Sequence, residues 1–447
     1  MGLFRIVKKH PKITATASRS AATLPASGFT FIDNSQGASA ATAELSDALG
    51  TALNQIDLDG NPVDRLRALF QKLDTEAIKY TNSKISDADV KKYQCEIAPS
   101  LAQLISATWT CALATYTQSS SSGQIPDSPH HQFLLDHVVS ASLGGTFKAM
   151  TTHIVSTLNS STNQKLEPFF PALIIAIRGT ASAADGIVNL NGEPRDATKF
   201  LVCFPRNTTE RISAHSGFLA AANTLSEIVE ARICSRPASD DHHVIFTGHS
   251  AGGAVATLLY LRFKKLFGNE RRISCLTFGA PPCVSAFGAE DQIDNGPNGV
   301  HLNIVNEFDM VSRVDGPYIL NMVNLLRGMY GMNGLTPEEP AKGGGGELKA
   351  AMTWSSEETQ YGGSSEGGIW CLPPSLYRHV GKIVVLAIRL EGEGEEDEGV
   401  MRALDVPKEV LEGLLFCRLE VHKRVKYAER VKLLEEGKVN GGLAKCG

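Results

Sequence analysis

A serine stands at the centre of a glycine-flanked pentapeptide that follows an apolar, β-prone run. Residues 244–247 read Val-Ile-Phe-Thr and lead into Gly-His-Ser-Ala-Gly at 248–252. The alanine-rich segment that follows is typical of a helix. A strand, a sharp turn and a helix would raise the Ser250 hydroxyl above a sheet, and the two glycines would let neighbouring backbones approach. The stretch predicts Ser250 as a nucleophile and the Ala251 N–H, at the helix start, as an oxyanion donor.

A serine hydroxyl is a weak nucleophile near neutral pH, so it needs a base, and the base needs an acid that orients it. In enzymes with this kind of elbow the chain order is Ser, then Asp or Glu, then His. Asp309 follows a predicted strand at 301–305 and a short turn. It is the favoured acid, and Asp315 is the second candidate.

Two histidines lie downstream of Asp309, namely His379 and His422. His379 stands at the entry to the last predicted strand, at 382–390, and His422 lies beyond that strand. The base usually hangs on a loop at the carboxyl edge of the sheet, and the start of a strand lies at the opposite edge. This geometry favours His422 as the base and leaves His379 as the alternative.

A second oxyanion donor should follow an earlier strand. The apolar run at 171–177 ends in Arg178-Gly179-Thr180. Thr180 could give both a backbone N–H and a hydroxyl, and Gly179 would let the backbone come close. Thr180 and Ala251 are therefore the predicted oxyanion hole.

Short apolar runs alternate with helix-like segments between residues 171 and 390. Such alternation predicts an α/β fold with a mostly parallel central sheet and helices on both faces. Residues 1–40 are rich in Ser, Ala and Thr and predict a disordered leader. Helical periodicity predicts a helical N-terminal region packed on the core over 41–165, with helices at about 97–117 and 133–157. The α/β domain is predicted over 166–430, with a flexible glycine-rich insertion at about 331–370 and a tail at 431–447.

The bulk composition excludes several function classes. The 447 residues carry a net charge of -5, with no long basic cluster, so no nucleic-acid partner is expected. Nine cysteines at irregular spacing, without a C-x-x-C pair, indicate reduced thiols and no metal site. With no apolar signal segment at the N-terminus, these features predict an intracellular, cytoplasmic protein.

Together these motifs resemble the class 3 lipase family, the fungal-type lipases of the α/β-hydrolase superfamily. The blocks that carry the resemblance are Ile177-Arg178-Gly179-Thr180, His215-Ser216-Gly217-Phe218, Thr247–Gly253, Thr277–Pro282 and Asn306–Arg313. The intracellular branch with sn-1-specific diacylglycerol lipases is the most similar, because a His-x4-Tyr segment carries its base, and His422 with Tyr427 fits that segment. The resemblance departs at Ala251, where the family commonly has Leu, and at Ser312, where it often has Pro.

The resemblance implies a lipase that cleaves tri- or diacylglycerol esters through an acyl-enzyme on Ser250, without a cofactor. The alternatives are a phospholipase A1 or another carboxylesterase, and a non-catalytic lipid-binding protein. A lipid droplet or membrane surface is a candidate partner beyond the acylglycerol substrate. In the family, the segment after Arg-Gly-Thr often forms a lid, which here would carry Ile187, Val188 and Leu190 as its apolar face.

Overall fold

The fold was analysed in a computed structural model of the chain. It describes residues 62–116, 125–140, 149–158, 168–180, 194–201, 212–236, 242–268, 270–285, 299–331, 368–391, 398–440 and 442–443. The predicted leader, the proposed lid residues and most of the predicted insertion lie outside these ranges. Within them, no helix is both long and apolar enough to cross a membrane.

An eight-stranded sheet forms the centre of the structure, in the order β1-β2-β3-β6-β7-β8-β9-β10. Its strands are β1 (His131–Val139), β2 (Met150–Thr157), β3 (Ala172–Ile177), β6 (His243–His249), β7 (Ile273–Phe278), β8 (His301–Asn306), β9 (Lys382–Glu391) and β10 (Glu398–Asp405). Strands β3, β6, β7, β8 and β9 run parallel, and β1, β2 and β10 add antiparallel edges. Two small ribbons pair β4 (Pro194–Asp196) with β5 (Ser213–His215) and β11 (Lys438–Val439) with β12 (Gly442–Leu443).

Helices cover both faces of this sheet. They are α1 (Pro62–Ala77), α2 (Asp87–Tyr93), α3 (Pro99–Ala114), α4 (Thr198–Leu201), α5 (Ser216–Cys234), α6 (Ala251–Phe267), α7 (Gly316–Met329), α8 (Lys408–Glu412) and α9 (Arg424–Glu435). Short 3₁₀ turns stand at Thr81–Ser83, Met310–Arg313 and Glu420–His422. The predicted α/β fold, with a mostly parallel sheet between helices, is confirmed.

The apolar runs of the central strands are continuous because both faces are covered. Successive side chains of β3 alternate between the two layers. Ile175 and Ile177 belong to one apolar cluster, which includes residues of α5, α6 and α7. Ile174 and Ala176 belong to the other, which includes residues of α3 and α9. Thus α3, from the N-terminal third, and α9, from the C-terminus, share one face beneath the end of β6.

The N-terminal third holds one prediction that is wrong. Residues 133–157, expected to be helical, instead contribute to the antiparallel strands β1 and β2. Thr151, Thr152, Ile154 and Val155 are β-branched, and such side chains fit a pleated, buried surface better than a helix. The helix expected at about 97–117 is confirmed as α3, which begins at Pro99, where the missing N–H costs no intrahelical bond.

The predicted division of the chain into a helical region and an α/β domain at residue 165 stays a prediction. Strands β1 and β2 both lie before that boundary, and they pair with each other; β2 also hydrogen-bonds to β3 beyond it. The strand β10 was not expected, and α9 extends to Glu435, into the predicted tail.

A buried ion pair ties the N-terminal third to the sheet. Glu307, at the end of β8, has a fully buried side chain and accepts bidentate hydrogen bonds from Arg389 on β9, one of them at 2.7 Å. Glu307 also accepts from the Ile85 N–H at 3.1 Å, and Arg389 donates to the Ile85 carbonyl at 3.0 Å. The ion pair therefore holds the segment before α2 against the end of β8, two residues before Asp309.

We expect Arg389→Met to lower the free energy of unfolding by about 3 kcal/mol, because it leaves the Glu307 charge buried and unpaired. Urea unfolding followed by circular dichroism measures this change. The matched control is Lys382→Met on the same strand, whose pair with Asp405 is about half exposed on both sides. It should cost less than about 1 kcal/mol. Equal losses in the two variants would contradict the structural role of Glu307.

Candidate active site

The turn after β6 holds Ser250 in a strained backbone conformation. Its φ is 58° and its ψ is -135°, a region that non-glycine residues rarely adopt. The flanking glycines allow the turn: a Cβ on Gly248 would lie 2.4 Å from the Gly252 carbonyl carbon, and one on Gly252 would lie 2.2 Å from the Ile177 oxygen. The predicted elbow is therefore present, with Ser250 at the N-cap of α6.

Ala251 is the first residue of α6, directly after the serine. The first N–H groups of a helix have no intrahelical acceptor, and the helix dipole places partial positive charge there. An oxygen that gains negative charge near Ser250 would be stabilised by these groups.

Asp309 and His422 meet in the interior. His422 Nδ1 lies 2.9 Å from Asp309 Oδ2, and both side chains are almost completely buried. Because a carboxylate oxygen only accepts, His422 Nδ1 is the donor of this hydrogen bond, which leaves Nε2 as the nitrogen that can accept a proton. Within the described residues, Nε2 has no hydrogen-bond partner. It is a free base position on an oriented imidazole.

Tyr427 and Asn306 hold this pair in place. The Tyr427 hydroxyl donates to Asp309 Oδ2 at 2.7 Å and accepts from the Asn306 N–H at 3.0 Å. Burial, with the Asp309 charge next to it, raises the pKa of Tyr427 well above its ordinary value, so the hydroxyl keeps its proton. Asn306 also donates from its side chain to the carbonyl of Val421, the residue before His422, at 2.8 Å.

The turn at the end of β7 connects the serine with the His–Asp pair. The Ser250 N–H donates to the Phe278 carbonyl at 2.9 Å. At the next residue, Gly279, a Cβ would lie 2.8 Å from Asp309 Oδ2 and 3.0 Å from His422 Nδ1. Ser250 and the Asp309–His422 pair therefore lie against neighbouring residues of the same turn.

Thr180 lies beside the elbow, at the end of β3. A Cβ on Gly179 would lie 2.3 Å from the His249 carbonyl oxygen and 3.3 Å from Ser250 Cβ, so only glycine fits the approach. The Thr180 hydroxyl is buried and has no hydrogen-bond partner within the described residues. A buried, unpaired donor is costly unless a ligand oxygen can use it.

The alternative residues are engaged elsewhere. His379 Nε2 lies 2.7 Å from the Ser312 carbonyl, and burial lowers the pKa of this histidine to about 4. Asp315 caps α7 by accepting from the Tyr318 N–H at 3.0 Å, and it also accepts from the Leu376 N–H. In the structure it is His422 that hydrogen-bonds to Asp309, whereas His379 and Asp315 bond to backbone groups.

Sequence reasoning did not identify two side chains that surround the pair. The ring of His249 stacks on that of His422, with centroids 4.7 Å apart, and its Nε2 lies 3.1 Å from the His422 carbonyl. Tyr116, after α3, places its hydroxyl 3.2 Å from His249 Nδ1. His249 was visible in the motif at the position before the serine, whereas no sequence signal marks Tyr116.

The arrangement suits acyl transfer. A base nitrogen is oriented by a carboxylate, a serine stands on a strained turn, and candidate donors lie at the helix start after the serine and at the strand end beside it. Within the described residues, no cluster of three or more His, Cys, Asp or Glu side chains could hold a metal ion.

Comparison with known proteins gives a match in the same region. Residues 174–318 match the family described as Lipase (class 3). "Secreted mono- and diacylglycerol lipase 2" of Gibberella zeae is 31% identical over 164 residues. The matched region is 33% of this chain and 38% of that relative, so the chain spans well under half of the relative's length.

Two solved lipase structures are similar at low sequence identity. A Rhizomucor miehei lipase propeptide complex has a TM-score of 0.42 and 14% identity, over 78% of this chain and 91% of that chain. The Lip2 lipase of Yarrowia lipolytica has a TM-score of 0.38 and 16% identity, over 49% of this chain and 77% of that chain.

The predicted intracellular, cytoplasmic location is wrong by this comparison, because the curated relative is a secreted lipase. The prediction depended on cysteine spacing and on the first residues of the sequence.

We expect Gly279→Ala to lower ester hydrolysis by about 10²-fold or more, because the added methyl group would push apart His422, Asp309 and Tyr427. Hydrolysis of p-nitrophenyl butyrate measures the loss. Gly331→Ala is the matched control, since Gly331 also has a positive φ, of 66°, but a Cβ there meets nothing within 4 Å. A Gly279→Ala variant as active as this control would contradict the described packing.

The matched region contains most of the site. It begins inside β3, before Thr180, and ends in α7, after Asp309, so that the elbow at Ser250 lies between them. The likeness predicted from the sequence blocks is confirmed here by an independent family match. Residues 174–318 of this chain, which hold Thr180, Ser250 and Asp309, are thus similar to the class 3 lipase family.

Proposed function

We propose that this protein is a serine ester hydrolase that cleaves acylglycerol esters through an acyl-enzyme on Ser250. The observation that carries the proposal is the Asp309–His422 pair, whose Nε2 is buried without a hydrogen-bond partner within the described residues. The pair lies against Gly279, next to the Phe278 carbonyl that accepts from the Ser250 N–H. The family match of residues 174–318 and the name of the curated relative, a mono- and diacylglycerol lipase, support the choice of substrate.

In the first half of the reaction, the Ser250 oxygen attacks the ester carbonyl carbon while its proton moves to His422 Nε2. The carbonyl oxygen takes up the negative charge and is stabilised by N–H groups of Thr180 and Ala251, with the Thr180 hydroxyl. Collapse breaks the bond to the glycerol oxygen, which leaves with the proton from His422. The fatty acyl group remains on Ser250.

In the second half, water attacks the acyl carbon and gives its proton to His422. The fatty acid leaves, and the serine regains its proton from the imidazolium. Asp309 stabilises that imidazolium through Nδ1 and fixes the ring orientation throughout. None of these steps requires a metal or an organic cofactor.

The substrate is a poorly soluble ester, so we propose that the enzyme meets it at a lipid–water surface such as a droplet, micelle or membrane. A phospholipase A1 or a general carboxylesterase would use the same chemistry. The relative's name favours mono- and diacylglycerols over these two.

Fatty acid release from dioleoylglycerol emulsions tests the proposal. We expect Ser250→Ala and His422→Ala each to lower the rate by about 10⁴-fold or more, because either change removes the acyl-transfer machinery. His379→Gln is the control and should keep activity of the wild-type order, because the His379 ring bonds to the Ser312 carbonyl and not to Asp309.

Parallel assays with monooleoylglycerol, phosphatidylcholine and p-nitrophenyl acetate separate the substrate classes. A higher kcat/KM for phosphatidylcholine than for either acylglycerol would replace the lipase by a phospholipase. Loss of activity in His379→Gln with retention in His422→Ala would overturn the choice of base.

A further inference from the structure

We propose that Tyr116, on the segment that follows α3, is a positioning residue that fixes the base His422 through the side chain of His249. This inference rests on the proposed function of His422. It gives the N-terminal third of the chain a part in the reaction, although it contributes no group that touches the ester.

His249 is held in one tautomer. Its Nε2 lies 3.1 Å from the main-chain carbonyl of His422, and its Nδ1 lies 3.2 Å from the Tyr116 hydroxyl. A carbonyl oxygen only accepts, so Nε2 must carry the proton and Nδ1 the lone pair. The Tyr116 hydroxyl is therefore the donor, and the three groups form a directed chain from Tyr116 to His422.

The ring of His249 also stacks on the ring of the base, His422. The two imidazole rings are 27° from parallel, with centroids 4.7 Å apart, so His249 holds both the main chain and the ring of His422. In the other tautomer, the lone pair of Nε2 would face the lone pairs of the His422 carbonyl, and the loop would have to shift. Reacting groups tolerate little displacement, since about 1 Å can cost about 10²-fold in rate.

A neutral His249 is required at this place. During the reaction His422 becomes an imidazolium, and a second charge on the stacked ring would oppose it. Burial lowers the pKa of His249 well below its ordinary value, and the neighbouring His422 and Arg424 lower it further. The hydroxyl of Tyr116 suits this state, because it donates to the unprotonated nitrogen.

Tyr116 contacts both the segment that carries the base His422 and the segment that leads to the oxyanion donor Thr180. The Arg424 guanidinium lies 4.1 Å from the ring centroid, on the chain that follows His422. The Arg178 guanidinium lies 5.7 Å from it, two residues before Thr180. A Cβ on Gly179 would lie 2.3 Å from the Tyr116 oxygen, so the strand end that leads to the oxyanion donor rests against the same hydroxyl. Burial raises the pKa of Tyr116 to about 12, so it remains a donor at neutral pH.

Tyr116→Phe removes one oxygen and keeps the ring between the arginines. We expect kcat for p-nitrophenyl butyrate to fall about tenfold with little change in KM, because one neutral hydrogen bond that orients the base is lost. Tyr318→Phe is the matched control: this buried tyrosine donates to the Phe416 carbonyl at 2.8 Å, away from His249. It should lose a similar amount of stability and keep kcat.

A double-mutant cycle tests whether Tyr116 acts through His249. In a His249→Ala background, Tyr116→Phe should have no further effect on kcat. A tenfold loss in both backgrounds would overturn the proposed route, as would a loss of the same size in Tyr318→Phe.

Nitrogen NMR of ¹⁵N-histidine-labelled full-length protein gives a readout that does not need activity. The wild type should show His249 protonated at Nε2 only, and Tyr116→Phe should shift it towards a mixture of tautomers. An unchanged Nε2–H tautomer in Tyr116→Phe would overturn the inference. A wild type that shows this tautomer but hydrolyses no ester would instead contradict the proposed function alone.

Discussion

The hydrogen bond between Asp309 and His422 is the interaction on which the rest of the site depends. It joins two segments 113 positions apart in sequence, and it forms only if the C-terminal helix α9 is packed on the sheet. Tyr427 and Arg430, both on α9, secure that packing: Tyr427 bonds to Asp309 and to the Asn306 N–H, and Arg430 donates to the Leu386 carbonyl. The buried carboxylate is thereby supplied with partners, and burial of the charge is tolerated.

The parallel sheet places the remaining groups. Thr180, Ser250 and Asp309 follow β3, β6 and β8, and the carboxyl ends of parallel strands meet at one edge. A side chain at either of two strand ends would collide with its neighbours: at Gly179 with the His249 carbonyl, and at Gly279 with the side chains of Asp309 and His422. This explains why glycines follow β3 and β7. His422 is different, because no strand leads directly into it. Two side chains fix its main chain: Asn306 donates to the carbonyl of Val421, and the Nε2 of His249 bonds to the carbonyl of His422.

Much of this could be predicted from sequence, because the relevant signals are local. A buried parallel strand has a continuous apolar run, the elbow has its glycines, and Asp309 directly follows a strand. The strands β1 and β2 were missed because periodicity of apolar residues was weighed above the β-branched content of residues 151–155. Tyr116 could not be found in this way, since its partners are distant in sequence: His249 ends β6, and Arg424 begins α9. Its role exists only after α3 and α9 pack side by side on one face of the sheet.

The most direct test of the account is the site of covalent reaction with a long-chain alkyl fluorophosphonate, mapped by peptide mass spectrometry. The account predicts one adduct per chain, on the Ser250 peptide, that forms at a greatly reduced rate in His422→Ala. An adduct on another residue, or labelling of folded Ser250→Ala at the wild-type rate, would contradict the claim that Ser250 and His422 carry the reaction.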